Sequence, residues 1–275
     1  MTKPLDKIII DSDAANEIDD QYAIAYAVLS GSFDIRGFTS AHFGKDGSME
    51  TSHEEILHVL NLLGRKGDYP VFHGAGKALA DHTTPRDSDS ARFIVRESVA
   101  AQEPLNIICI GPLTNLASAY LMEPAIQKSV KCLWLAGKAW PEGGLFFNNK
   151  NDIIAAQVIF SSNIDLTLIP AVGTANRLKV SLQDRGSIKG RGTIGNYLWK
   201  LFMRRFGLPK AIYDVVAVAA LKIPDASTVI TVPRPELRND GTYNHDRPQG
   251  SITVVTDINA ELIKKDFFAS LEKMQ

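Results

Sequence analysis

Cysteine is nearly absent: two residues of 275. Both, Cys109 and Cys132, sit in apolar runs (LNIICIG and VKCLWLAG), which reads as core packing and not as a disulfide framework. An excess of either charge is also missing. Thirty basic residues stand against 31 acidic ones, for a net charge of −1, so no nucleic-acid surface is expected. No window approaches the roughly 20 apolar residues that a membrane span needs. No secretory leader is read ahead of the first strand, which the chain reaches by Leu5, so a cytoplasmic protein without membrane contacts is expected. Neither a G-x-S-x-G elbow nor a G-x-x-x-x-G-K-[ST] loop occurs, which removes the simplest serine-hydrolase and P-loop readings. Internal repeats, low-complexity tracts and linker-like stretches are lacking too, and one α/β domain over residues 1–275 is expected.

What is abundant is apolar residues, 45% of the chain, enough for a substantial core. They alternate between strand-like and helix-like runs. Strands are expected at Ile8–Ile10, residues 34–41, Tyr69–Phe72, Leu105–Ile110, Lys131–Ala136 and Leu166–Pro170. Helices are expected at 19–30, 49–64 (with Ser52 and Glu55 as a capping box), 88–101, from Thr114 to about Leu121, and 152–161. The Leu105–Ile110 run is almost wholly apolar, as in a parallel strand buried on both faces. The expected fold is therefore α/β, a mostly parallel central sheet flanked by helices. The last third is less regular. Helices are read at 192–206 and 211–221, the second with Asp214 inside it, and late strands at Val229–Val232 and Ser251–Thr256. A polar hairpin or loop, RPELRNDGTYNHDRPQG, separates those strands.

The densest chemical feature is DSDAANEIDD, which places Asp11, Asp13, Glu17, Asp19 and Asp20 within ten residues between an apolar strand and an apolar helix. Like charges so crowded repel, and a hard cation with oxygen ligands, Ca2+ or Mg2+, would hold them. The plain alternative is a solvated loop whose Asp19 and Asp20 favour a helix N-terminus. In an open α/β sheet, sites lie beyond the carboxyl ends of strands. The acidic run, the IGPLTN loop after Ile110 and the segment carrying Asp214 would meet there. Asp13, Asp20, the Thr114 backbone carbonyl and Asp214, with waters, would then make an all-oxygen site of the kind Ca2+ prefers.

Together these segments resemble the nucleoside hydrolase family, the inosine/uridine-preferring, calcium-dependent N-ribohydrolases. The resemblance rests on IIIDSDAANEIDDQYAIAYAV at 8–28, GPLTNLA at 111–117, FFNNKNDIIAAQVIF at 146–160 and YDVVAVAALKIPD at 213–225. They span about 220 residues in the family's order, and the Asn-Glu-x-Asp-Asp loop suggests a divergent branch. The resemblance implies a nucleoside hydrolase-like open sheet, bound Ca2+, a small-molecule nucleoside as substrate and a homodimer or homotetramer. It implies that Asp13 ligates calcium and activates water, that Asp20 and Asp214 ligate calcium, and that Thr114 contributes its carbonyl. Asp19 and Asn148 would contact the ribose, and Asp11 would orient the loop from behind.

Three positions depart from the family pattern. Phe146 stands where a Glu is usual, Tyr213 where a His is often linked to leaving-group protonation, and AHFGKDG where Gly-Asn is usual. The resemblance therefore implies a metal half that is kept and a substrate half that is altered. Glu17, His42, Phe146, Phe147 and Tyr213 are the expected substrate contacts, with His42 and Tyr213 as candidate proton donors. His73, His82, Trp140, Asn239, Tyr243, His245 and Asp246 are weaker candidates, each equally readable as structural or solvated, and WPEGGLFF reads as a possible lid. Two rivals remain. One is a haloacid-dehalogenase-like phosphatase with Asp11 as nucleophile, which leaves the Asp19–Asp20 pair unexplained. The other is a ribose- or nucleoside-binding protein without turnover.

Overall fold

The computed structural model describes residues 5–204 and 206–274. The ends of the expected 1–275 domain lie outside them, as does Arg205 within the expected helix 192–206. The chain begins with β1 (Asp6–Ser12), α1 (Asp19–Ser30), β2 (Phe33–Ser40), α2 (Ser48–Leu62), β3 (Val71–Phe72), α3 (Asp89–Ala100), β4 (Leu105–Cys109) and α4 (Thr114–Met122). It continues through β5 (Val130–Ala136), α5 (Phe147–Asn151), α6 (Ile153–Phe160), β6 (Asp165–Pro170), β7 (Lys179–Val180), α7 (Arg185–Ile188), α8 (Gly192–Met203) and β8 (Lys210–Ala211). It closes with α9 (Val215–Lys222), β9 (Ser227–Pro233), β10 (Glu236–Leu237), β11 (Tyr243–Asn244), β12 (Ser251–Ile258) and α10 (Ala260–Leu271).

Eight strands form one sheet in the order β3-β2-β1-β4-β5-β6-β12-β9. All neighbours run parallel except β9, which is antiparallel to β12. Side chains alternate across a strand, so β1 feeds both faces. Ile8 and Ile10 join the core under α1, α8, α9 and α10, whereas Ile9 joins the core under α3, α4 and α6. All three isoleucines are fully buried, as a strand covered on both sides requires. Helix α1 is buried almost all round, from Asp19 to Val28, and Gly31 ends it in a left-handed conformation (φ +65°) that an L side chain adopts only with strain.

Strand order positions the site. From β1 the chain steps outward to β2 and β3, then returns to β4 on the other side of β1. The connections leaving β1 and β4 therefore diverge and open a crevice at their carboxyl ends.

Local departures from expectation have local causes. Ser52 and Glu55 form no capping box: α2 starts at Ser48, the Ser52 hydroxyl bonds back to the Ser48 carbonyl (3.0 Å), and Glu55 accepts from Gln21 and Tyr197. The expected helix 211–221 starts four residues later. Ile212 N–H donates to the Leu178 carbonyl (3.0 Å) and β8 pairs with β7, so Asp214 becomes the residue that precedes α9. The polar segment between β9 and β12 is a short hairpin, β10–β11. Among the described residues no helix is long and apolar enough to cross a membrane.

Candidate active site

Asp13 lies just beyond β1, and Asp19 and Asp20 open α1. Asp214 precedes α9, so the positive ends of two helices face one acidic cluster. Carboxylate oxygens of Asp19, Asp20 and Asp214 lie within 4.8 Å of one another, and Asp13 is close enough to raise the pKa of Asp214. All four side chains are buried. Burial is the largest effect on each and pushes its pKa up, to about 6 for Asp19 and about 8 for Asp20, and well above the usual carboxylate range for Asp13 and Asp214. The neighbouring carboxylates raise Asp13, Asp20 and Asp214 further. The polar support is sparse: Ser12 Oγ donates to Asp20 (2.6 Å) and Asn16 Nδ2 to Asp13 (3.1 Å). Lys210 offsets part of the burial at Asp19, and among the described residues no cation does the same for Asp13, Asp20 or Asp214.

The cluster lines a cleft. Its walls are Ile110, Leu135, Ala136 and Ala171 from the ends of β4, β5 and β6, with Phe146, Phe147 and Tyr213, and its rim carries Asn16, Glu17 and Lys210. The Asn148 amide donates to the carbonyls of Ile110 (2.9 Å) and Leu135 (2.9 Å), fixing two strand ends relative to α5. Lys210 pairs with Glu17 (3.0 Å) and sits over the Tyr213 ring (5.8 Å). Burial pushes the Tyr213 phenol up, so it keeps its proton.

The expected residues Asp13, Glu17, Asp19, Asp20, Phe146, Phe147, Asn148, Tyr213 and Asp214 all line this one cleft. Thr114 and His42 do not. The Thr114 hydroxyl donates to Asp152 (2.7 Å) and contacts His42 Nε2 (2.9 Å), while His42 Nδ1 accepts from Gly44 N–H (3.2 Å). His42 is buried and lines a separate surface cleft with Lys45, Lys77 and Asn151. The strand-end residue that reaches the acidic cleft is Ile110, four positions before Thr114. Asp11 is fully buried and accepts from Thr39 (2.6 Å) and Asn115 (2.8 Å), which leaves it no approach to a phosphoryl group. A nucleophilic Asp11, and the phosphatase rival with it, has no structural basis.

The weaker candidates lie elsewhere. His73 stacks on His53 (3.6 Å between ring centroids), and His82 bonds Gln157 on the surface. Trp140, Tyr243 and His245 pack on each other, and Asn239 accepts from Gln157. Asp246 is exposed. Gly144 N–H and Leu145 N–H donate to the carbonyls of Gly241 and Asp240, so the expected lid is tied to the β10–β11 hairpin. Sequence reasoning missed Lys210 and Ile110. The signals available were the position of Lys210 three residues before Tyr213, and that of Ile110 at the very end of an apolar strand, where parallel sheets present their carbonyls.

The fold has close counterparts. A plant nucleoside hydrolase superimposes with a TM-score of 0.80 at 20% identity, covering 98% of this chain and 99% of that one. A purine-preferring ribonucleoside hydrolase from Gardnerella vaginalis gives 0.79 at 19%, over 98% of each chain. In sequence, a probable uridine nucleosidase of Arabidopsis thaliana is 24% identical over 261 residues, 84% of this chain and 78% of the relative. The family model for inosine-uridine preferring nucleoside hydrolase matches residues 8–265. With nearly the whole chain matched, the protein belongs to the inosine-uridine preferring nucleoside hydrolase family, a class of glycosidases.

Proposed function

We propose that this chain hydrolyses the N-glycosidic bond of a ribonucleoside, with Ca2+ held by Asp13, Asp20, Asp214 and the carbonyl of Ile110. The observation that carries the reading is the convergence of Asp13, Asp19, Asp20 and Asp214 at a crevice where, among the described residues, one lysine reaches the rim and is shared between Glu17 and Asp19. The donors fit a hard divalent cation: they are all oxygens, and burial and mutual repulsion leave the acids short of positive charge. Ile110 takes the carbonyl role expected of Thr114, because Ile110 lines the cleft and Thr114 does not. Bound Ca2+ supplies the charge that keeps these carboxylates ionised and makes water held at the site more acidic.

Each further step belongs to the chain's own groups. Asp13 accepts the proton of the attacking water as general base. Asp19 accepts from a ribose hydroxyl, and Asn148, its amide nitrogen committed to two carbonyls, turns its oxygen to another. As the bond to the base stretches, positive charge grows on the sugar ring and the carboxylate floor stabilises it. Tyr213, protonated and beside the floor, donates toward the departing base.

The test is release of reducing sugar from purine and pyrimidine ribonucleosides, with Ca2+ and with chelator. Asp13→Asn is expected to lower kcat by about 10²–10⁴-fold with the fold intact. Near-normal turnover in that variant overturns the assignment of the base.

A further inference from the structure

We infer that Phe146, with Ala136 and Ala171, forms an apolar subsite for the 5′ end of the ribose, so that the enzyme prefers nucleosides carrying hydrogen or an alkylthio group there in place of hydroxyl. The inference rests on the ribonucleoside reading above and follows from strand order. Asp13, the general base, stands at the end of β1, so the anomeric carbon that its water attacks lies on that side of the crevice. The apolar side of the crevice lies past β4, where the ends of β5 and β6 supply Leu135, Ala136 and Ala171, and in the inferred placement the ring runs toward it. In a natural β-nucleoside the 2′,3′-diol lies on one face of the ring, and the base and C5′ on the other. With the diol on the carboxylate floor, C5′ rises at the β5–β6 side, against Phe146.

That wall is built to stay apolar. The Phe146 backbone N–H is held by Asn149 Oδ1 (2.7 Å), and Asn149 Nδ2 donates to the Gly144 carbonyl (3.1 Å), which fixes the residue where α5 begins. Its ring packs against Phe147 (4.9 Å, edge-on) and Tyr213 (6.0 Å), and against the core cluster beneath α1 and α9. The side chains of Leu135, Ala136, Ala171, Phe146 and Phe147 offer no hydrogen-bonding atom. The polar rim groups, Asn16, Glu17 and Lys210, belong to the segments after β1 and around β8. A 5′-hydroxyl carried into this corner gives up water and finds no partner among these five side chains.

The experiment compares kcat/KM for 5′-deoxy, 5′-methylthio and ordinary 5′-hydroxy ribonucleosides, with adenine and with uracil as base, in the wild type, Phe146→Leu and Phe146→Gln. The expected result is a preference of about 10- to 100-fold for the 5′-deoxy and 5′-methylthio compounds, the same with either base. Phe146→Leu keeps that preference, and Phe146→Gln narrows or reverses it. Equal or better turnover of 5′-hydroxy compounds by the wild type overturns the subsite and leaves the hydrolase reading standing. A preference that Phe146→Gln leaves unchanged, in a variant that still turns over, overturns the role of Phe146. No hydrolysis in any series, with Ca2+ present, overturns the ribonucleoside reading and the subsite with it.

Discussion

The most informative single residue outside the cleft is His42. Its ring nitrogens are both engaged, one with Thr114 and the other with Gly44 N–H, and burial holds its pKa below the ordinary histidine value against the pull of Asp152. An unfolded chain protonates this histidine as pH drops through about 6.5, while the folded chain resists. Its contribution to stability is therefore whole above that pH and is lost as pH falls below it. Replacing it should flatten the acid side of the stability curve. Urea unfolding of His42→Gln at pH 7 and pH 5 is expected to show a smaller loss on acidification than the wild type, by up to about 1.4 kcal/mol per pH unit in that window. An unchanged slope would mean that His42 takes up its proton as readily in the folded chain as in the unfolded one. The same residue shows how sequence position misleads. A histidine in the loop after β2 stands beside the crevice in the chain, yet Thr114 and Asp152 draw its side chain away from it.

At the scale of elements, the join between the neighbouring strands β6 and β12 hangs on Arg234. This buried guanidinium donates to the carbonyls of Ser162 and Ile164 (2.6 Å each), at the turn from α6 into β6, and to Ser251 (3.0 Å) at the start of β12. A fork of fixed donors satisfies three backbone oxygens at once, which a lysine ammonium would not reproduce. Arg234→Met should leave those oxygens buried without partners and cost about 3 kcal/mol, read as a lower urea midpoint, with Arg234→Lys recovering little. Elements were also where the sequence was most and least legible. Apolar runs such as Ile8–Ile10 and Leu105–Ile110 declare parallel strands because burial on both faces leaves no room for polar residues. The start of α9 was hidden because Ala211, Ile212 and Tyr213 continue the apolar pattern of the helix without a break. The bond from Ile212 to Leu178 and the pairing of β8 with β7, both long-range, make that stretch extended and leave Asp214 at the helix entrance. That Ile110 and not Thr114 lines the cleft was hidden for a related reason: side-chain type gives no hint of which backbone oxygen a turn will expose.

For the whole molecule, the acidic cleft gathers the first strand, the middle of the sheet and a helix near residue 215. A cation held there bridges segments far apart in sequence and binds the folded chain alone. At a Ca2+ concentration about 100 times its dissociation constant, stability should rise by about 2.7 kcal/mol and Tm by roughly 5 °C or more. Differential scanning fluorimetry with Ca2+ and with chelator measures it, and no shift would count against Ca2+ at this site. The two cysteines turn the same equilibrium into a reaction rate. Cys109 and Cys132 lie on adjacent central strands, free, fully enclosed and 3.9 Å apart at sulfur, and burial pushes the Cys109 thiol far from its reactive thiolate form. In the native protein an alkylating reagent must wait for the centre of the sheet to come apart. The speed of thiol capture then counts openings of the core directly, and it should fall when Ca2+ is added.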